Sequence, residues 1–179
     1  MQVSNLLTWT RIVLLAPLWC LALLEERILL GVLLTIALGT DAIDGYVARK
    51  LGEESAYGAS LDSRADNLIY ISVICWLPLL FWNMVAMYWI PILVTVVLLL
   101  SPLVFGLVYY RKQITFHLYT SKLSAIIGGV FYLHALFFEY SPILLWLTLF
   151  ITSLSGIEQW LVLFRGGWKK HDVGFFWRA

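Results

Sequence analysis

Charge is what this sequence has least of. Asp, Glu, Lys and Arg make up 13% of its 179 residues against 61% hydrophobic ones, a balance that excludes an ordinary soluble domain and fits a polytopic membrane protein. Cysteine is scarce too. Cys20 and Cys75 both fall inside apolar stretches, so no disulfide is expected, and their spacing matches no metal-binding motif. No linker, low-complexity tract or convincing repeat divides the chain, which reads as a single domain over residues 1–179. No small-residue cleavage site precedes Glu25, and Arg11 lies too far in for the charged start of a leader. The first apolar stretch is therefore read as a span rather than a signal peptide. A net charge of +1 gives no electrostatic basis for nucleic-acid binding.

What the sequence does have is apolar length. A helix crosses the hydrocarbon core with about 20 residues. Stretches that suit it run roughly from Leu6 to Leu24, Ile28 to Arg49, Tyr57 to Phe81, Met87 to Tyr109, Ser121 to Phe138 and Pro142 to Phe164. Their connections are short, so neighbours are expected to run antiparallel in an all-α bundle of six transmembrane helices. Arg49, Lys50, Arg64, Arg111, Lys112, Lys122, Arg165, Lys169, Lys170 and Arg178 gather at one set of helix ends, whereas Arg27 stands at the other beside Glu25 and Glu26. By the positive-inside rule the basic ends face the cytoplasm. The expectation is a multi-pass protein of a bacterial-type cell membrane. Trp82, Tyr88 and Trp89 suit an interfacial belt, and the basic, aromatic tail from Arg165 suits an anionic membrane surface.

Against this background four aspartates stand out: Asp41, Asp44, Asp62 and Asp66. Carboxylates at membrane depth are expensive and mark function by default. On helices, residues three or four apart share a face, so Asp41 pairs with Asp44 and Asp62 with Asp66. Two such pairs brought together by a turn make a cluster of hard oxygen ligands, which favours Mg²⁺, Mn²⁺ or Ca²⁺. The four lie at the ends of the second and third spans on the basic side, where a nucleotide-activated substrate would be met.

The whole pattern is Asp41-x-x-Asp44-Gly45-x-x-Ala48-Arg49, eight residues, then Gly58-x-x-x-Asp62-x-x-x-Asp66. At every defined position it resembles the signature of the CDP-alcohol phosphotransferases. The start, Asn5-Leu-Leu-Thr8-Trp-Thr-Arg11 running on to Pro17, is similar to that of phosphatidylglycerophosphate-synthase-like members, and the length suits a member without an added cytosolic domain. The resemblance implies two divalent ions, Mg²⁺ or Mn²⁺, with Asp41, Asp44 and Asp62 as principal ligands. Asp66 then joins the metal cluster and acts as general base toward the acceptor hydroxyl. It also implies that Gly45, Ala48 and Gly58 line the cytidine pocket and that Arg49 reaches the phosphates. Taken alone, those small residues would read as helix packing and Arg49 as an interfacial anchor. Dimerisation is a further family expectation.

The same resemblance suggests Arg111 and Lys122 as the basic pocket for a phosphorylated acceptor; positive-inside anchoring is the alternative. Here the chain reads Ser121-Lys122-Leu-Ser124 where glycerophosphate synthases are expected to place a glycine before the lysine and a threonine soon after. That departure leaves the acceptor open. No serine, cysteine or histidine occupies the motif as a nucleophile, which favours direct attack by the acceptor. The expected reaction transfers a phosphatidyl group from CDP-diacylglycerol, or a similar CDP-lipid, to an alcohol such as glycerol 3-phosphate, releasing CMP. Transfer to phosphatidylglycerol, as in cardiolipin synthases, and transfer from a CDP-linked small alcohol to diacylglycerol are the enzymatic rivals. A divalent-cation transporter is the rival of another class, though it would place its ligands near the midplane on broken helices. Of the remaining polar residues, Glu158 lies deep enough in the sixth span to need a partner or water, with a role in the cavity as the alternative, and Gly128-Gly129 suits close helix contact. His117 reads as interfacial, His134 as packing or interface, and Asn5 and Thr8 as caps or as lining of the cytoplasmic entrance.

Overall fold

A computed structural model describes residues 3–51, 56–111 and 118–165; within its helices the side chains of residues 3–8, 11, 40–51, 56–64 and 66 are outside the description. Six helices occupy the described residues: α1 (Val3–Leu23), α2 (Arg27–Leu51), α3 (Ala56–Leu80), α4 (Trp82–Tyr109), α5 (Tyr119–Phe137) and α6 (Pro142–Phe164). Each expected apolar stretch is a helix. α1 and α4 begin earlier than hydropathy alone suggests. α4 starts at Trp82, one residue after α3, and contains a non-helical Tyr88 (φ −115°, ψ 24°) three residues before Pro91. Proline lacks an N–H and its ring clashes with the preceding turn, so the break falls where the sequence demands it. Met87, the expected start, marks this kink rather than the helix end.

α4, α5 and α6 are each long and apolar enough to cross a membrane. In α1 to α3 the apolar helical segments among the described residues are shorter: Ile12–Leu23, Arg27–Gly39 and Asn67–Leu80. The chain forms two compact units, Met1–Asn83 and Met84–Ala179.

In the first unit, α1 packs on both α2 and α3. The turn from α1 to α2 is tight, with Glu25 at φ 57° and its carbonyl accepting from the Arg27 N–H at 2.9 Å. Trp19 of α1 donates its indole N–H to Ser72 of α3 at 3.0 Å and meets the fully buried Trp76 edge-on at 5.6 Å. The Arg27 guanidinium, opening α2, lies 5.1 Å from the ring centre of Phe81, just past the end of α3. α2 therefore starts where α3 finishes, and the two run antiparallel. Cys20 and Cys75 are free thiols, as their place in apolar helices implied.

In the second unit, α6 is the central element. Toward α4, Thr95 pairs with Ser153 at 2.9 Å, and Trp160 donates to Ser101 at 2.8 Å. Both chain numbers rise together, so α4 and α6 are parallel. Between those pairs Gly156 meets the α4 backbone directly: a Cβ there would stand 2.6 Å from the Leu98 carbonyl oxygen. Toward α5 the pairing is antiparallel, with Ser121–Ser155 at 2.9 Å and Ser124–Thr152 at 2.8 Å. The close approach belongs to Gly156 and not to the Gly128-Gly129 pair expected from the sequence. Gly128 has only an ordinary 3.8 Å neighbour in Thr148, and nothing comes within 4 Å of a Cβ at Gly129.

Candidate functional site

α2 is helical through positions 41, 44, 45, 48 and 49, and α3 through positions 58, 62 and 66. The one-turn spacing expected for each aspartate pair therefore holds at the level of the backbone. Asp44 lies seven residues before Leu51, the end of α2, and Asp62 six residues after Ala56, the start of α3. At 1.5 Å per residue each is recessed by about 10 Å from that end of its own helix. Because Arg27 and Phe81 bring the other ends together, the motif-bearing ends of α2 and α3 lie at the same end of this unit. The side chains of Asp41, Asp44, Gly45, Ala48, Arg49, Gly58, Asp62 and Asp66 are outside the described ones. Among the described residues no three His, Cys, Asp or Glu side chains gather as a metal site. The donor chemistry of the motif suits a divalent ion all the same, since four carboxylates on two helix ends are hard oxygen ligands.

The candidate acceptor residues Arg111 and Lys122 lie in the second unit. Arg111 is exposed and left-handed (φ 53°) just past α4. The conformation ends the helix, and a residue with a Cβ enters it at a penalty. Lys122 is exposed in the first turn of α5, its amide bonded to the Leu118 carbonyl at 3.2 Å and its ammonium 5.7 Å from the Tyr119 ring centre. With α4 and α6 parallel and α5 antiparallel, Arg111, Lys122 and Arg165 share one end of this unit. Arg165 is likewise exposed, at the C-cap of α6.

Below that basic rim lies a polar seam which sequence reasoning found only at Glu158. The Glu158 side chain is 6% exposed, and Thr120 donates its hydroxyl to the carboxylate. Gln159 donates to Ser121 at 3.3 Å and to Ser155 at 3.4 Å. The missed signal is a spacing: Ser121 and Ser124 on α5, and Thr152, Ser155 and Gln159 on α6, recur at three to four residues and so line one face of each helix. His134 is half-buried, with its ring 5.3 Å from Phe138. It is a packing residue remote from the rim, near the other end of α5. His117 and the tail from residue 166 lie outside the described residues, as do the Asn5 and Thr8 side chains.

The sequence model of the CDP-alcohol phosphatidyltransferase family matches residues 1–154. The chain belongs to this family. No curated protein and no solved structure matches it. As a CDP-alcohol phosphatidyltransferase it is a transferase of phospholipid biosynthesis, moving a phosphatidyl group from a CDP-alcohol donor to an alcohol acceptor in a family that generally depends on divalent metals. The match takes in α1 to α5 and the first part of α6, and ends before Glu158.

Proposed function

We propose that this phosphatidyltransferase uses CDP-diacylglycerol, or a similar CDP-lipid, as donor and a small phosphorylated alcohol of the glycerol 3-phosphate kind as acceptor, releasing CMP. The observation that carries this is the unbroken motif from Asp41 to Asp66, helical through Leu51 and again from Ala56, and inside the matched residues. Asp41, Asp44, Asp62 and Asp66 are the residues that would hold divalent ions. When bound, such ions offset charge on the phosphate oxygens and the leaving group. Asp66 takes the proton from the acceptor hydroxyl, a role that requires only hydrogen-bond reach and a modest basicity. The acceptor oxygen forms its bond to the lipid-side phosphorus as the bond to CMP breaks, with Arg49 holding the departing phosphate. Gly45, Ala48 and Gly58 leave room for the cytidine. Arg111 and Lys122 supply charge for the acceptor's phosphate.

All six helices span the membrane in this proposal, as one domain, with the basic ends in the cytoplasm and the enzyme working as a homodimer. α1 to α3 reach across because their charged residues cluster toward one end, where water and headgroups are available. The test is CMP release by the purified protein with Mg²⁺ or Mn²⁺, CDP-diacylglycerol and a panel of glycerol 3-phosphate, inositol phosphate, inositol, serine and phosphatidylglycerol. Acceptor-dependent release, lost in Asp66→Asn, supports the proposal and names the acceptor. Release with no acceptor on the panel, despite binding of the donor, would move the proposal to a CDP-linked small alcohol as donor.

A further inference from the structure

We infer that the rim end of the second unit, where α4 and α6 finish side by side, binds an anionic phospholipid, its phosphate held by Arg165 and Arg111 and its chains lying below the rings of Tyr109 and Phe164. The inference does not rest on the donor or acceptor proposed above. Arg111 also stands in the acceptor reading, so the test turns on Arg165. Charge sorts the molecule first. Residues 1–83 carry five Lys and Arg against eight Asp and Glu, whereas residues 84–179 carry seven against three. Among the described residues of the second unit, Arg111, Lys122 and Arg165 stand exposed at one end, Glu139 stands exposed at the other, and Glu158 is buried within α6. The rim therefore presents cations with no exposed carboxylate at that end among the unit's described residues. Such a surface is the complement of a membrane face rich in anionic lipid.

Rings fix the depth of those cations. Phe105 of α4 lies 5.2 Å from Trp160 of α6 between ring centres. Phe105 stacks on Tyr109 at 5.3 Å, and Trp160 stacks on Phe164 at 5.5 Å. Tyr109 and Phe164, at the two ends of this cluster, are exposed. Trp89, also exposed, precedes Tyr109 along α4 by about 30 Å at 1.5 Å per residue, the thickness of the hydrocarbon core. Aromatic side chains collect at both faces of a bilayer, so Trp89 marks one face and Tyr109 the other. The Thr95–Ser153 and Ser101–Trp160 bonds set Arg165 level with Gly106 and Leu107 of α4. Arg111 then stands about one turn, roughly 6 Å, further out. The headgroup layer is itself roughly 5–8 Å deep on each face, so both guanidiniums fall within it. Arginine is the side chain whose fork of donors matches a phosphate. At the opposite face the unit has rings as well, Tyr88 against Trp146 at 6.1 Å, but no Lys or Arg among its described residues. Rings alone anchor a helix in any lipid; rings beneath two guanidiniums select the lipid's charge.

The experiment is native mass spectrometry of the purified, delipidated protein in detergent, titrated with phosphatidylglycerol or with phosphatidylcholine. Wild type is expected to retain phosphatidylglycerol in preference to phosphatidylcholine by about tenfold or more, since each cation near the surface contributes about fivefold. Arg165→Gln lowers that preference about fivefold, and Arg165→Lys, which keeps the charge, preserves most of it. Tyr109→Leu combined with Phe164→Leu lowers retention of both lipids and leaves their ratio unchanged. Trp89→Leu, at the opposite face, leaves the preference unchanged. Equal retention of the two lipids by wild type, or a preference that survives Arg165→Gln, overturns the inference and reduces the rim to an ordinary interfacial belt. Unchanged retention in the double ring variant overturns it as well, as does a loss of preference in Trp89→Leu equal to that in Arg165→Gln. Should Arg165→Gln fail to fold, salt decides: the wild-type preference must shrink as ammonium acetate is raised, and a preference unmoved by salt overturns the inference. Retention is read without turnover, so either outcome leaves the transferase proposal where it stands.

Discussion

In α2 the charge-free run from Ile28 to Thr40 stops at Asp41, whereas α4 carries no charged residue from Trp82 to Tyr109. The same contrast holds across the two units. α1, α2 and α3 each interrupt an apolar helix with charge, at Arg11, at Asp41 and at Asp66. α5 and α6 instead keep their polar groups paired along shared faces, Ser121 on Ser155 and Ser124 on Thr152. A helix can spend its polarity on chemistry at one end or on a neighbour along its length. In the proposed reading chemistry sets the charges of the first unit, whereas the hydroxyl pairs of the second serve packing. Substitutions should therefore separate turnover from stability according to the unit they fall in.

The largest effect belongs to the first unit. Asp66→Asn is expected to lower CMP release by about a hundredfold or more, the range for loss of a general base, with an unchanged unfolding temperature in detergent. A variant that loses stability and activity together would erase the contrast. Second comes Gly156→Ala, whose methyl would meet the Leu98 carbonyl. Overpacking of this kind costs about 1–3 kcal/mol, so thermal unfolding should fall by several degrees. Gly129→Ala, with open space around it, should be neutral or slightly stabilising. Equal responses at the two glycines would show that the α4–α6 crossing is looser than it stands here.

Arg111→Gly sharpens the comparison further. Glycine adopts the left-handed conformation freely, so the variant should gain about 1 kcal/mol of stability while its KM for a phosphorylated acceptor rises. A stability gain with an unchanged KM would reduce Arg111 to an interfacial anchor. The smallest effect is expected at Trp19→Phe, which loses the bond to Ser72. Interhelical hydrogen bonds in membranes average about 0.6 kcal/mol, and thermal unfolding against wild type should resolve little more than that.

The helices were legible because apolar runs of spanning length have few alternatives, and α6 matches its expected bounds of Pro142 and Phe164. Their tertiary register was not. Periodicity places Gly128-Gly129 and Gly156 equally well on helix faces, and only the packed structure shows that Gly156 is the one against a backbone. The motif was the most legible feature of all, since residue types at fixed spacing carry their chemistry with them. The seam was half-legible: Glu158 announced a need for a partner by being charged, whereas Ser121, Ser124, Thr152 and Ser155 are ordinary in any helix until they meet in pairs.

The crossing of α4 and α6 has a consequence for the surrounding lipid. At Gly156 the helices touch backbone to side-chain-free backbone, flanked by the Thr95–Ser153 and Ser101–Trp160 bonds. On its other side α6 is laced to α5 by Ser121–Ser155 and Ser124–Thr152. An acyl chain is several ångströms wide and offers no hydrogen bonds to replace those it would break. Both seams of α6 are thus shut to an acyl chain, which would have to stay on the outer, lipid-facing surfaces of α4, α5 and α6.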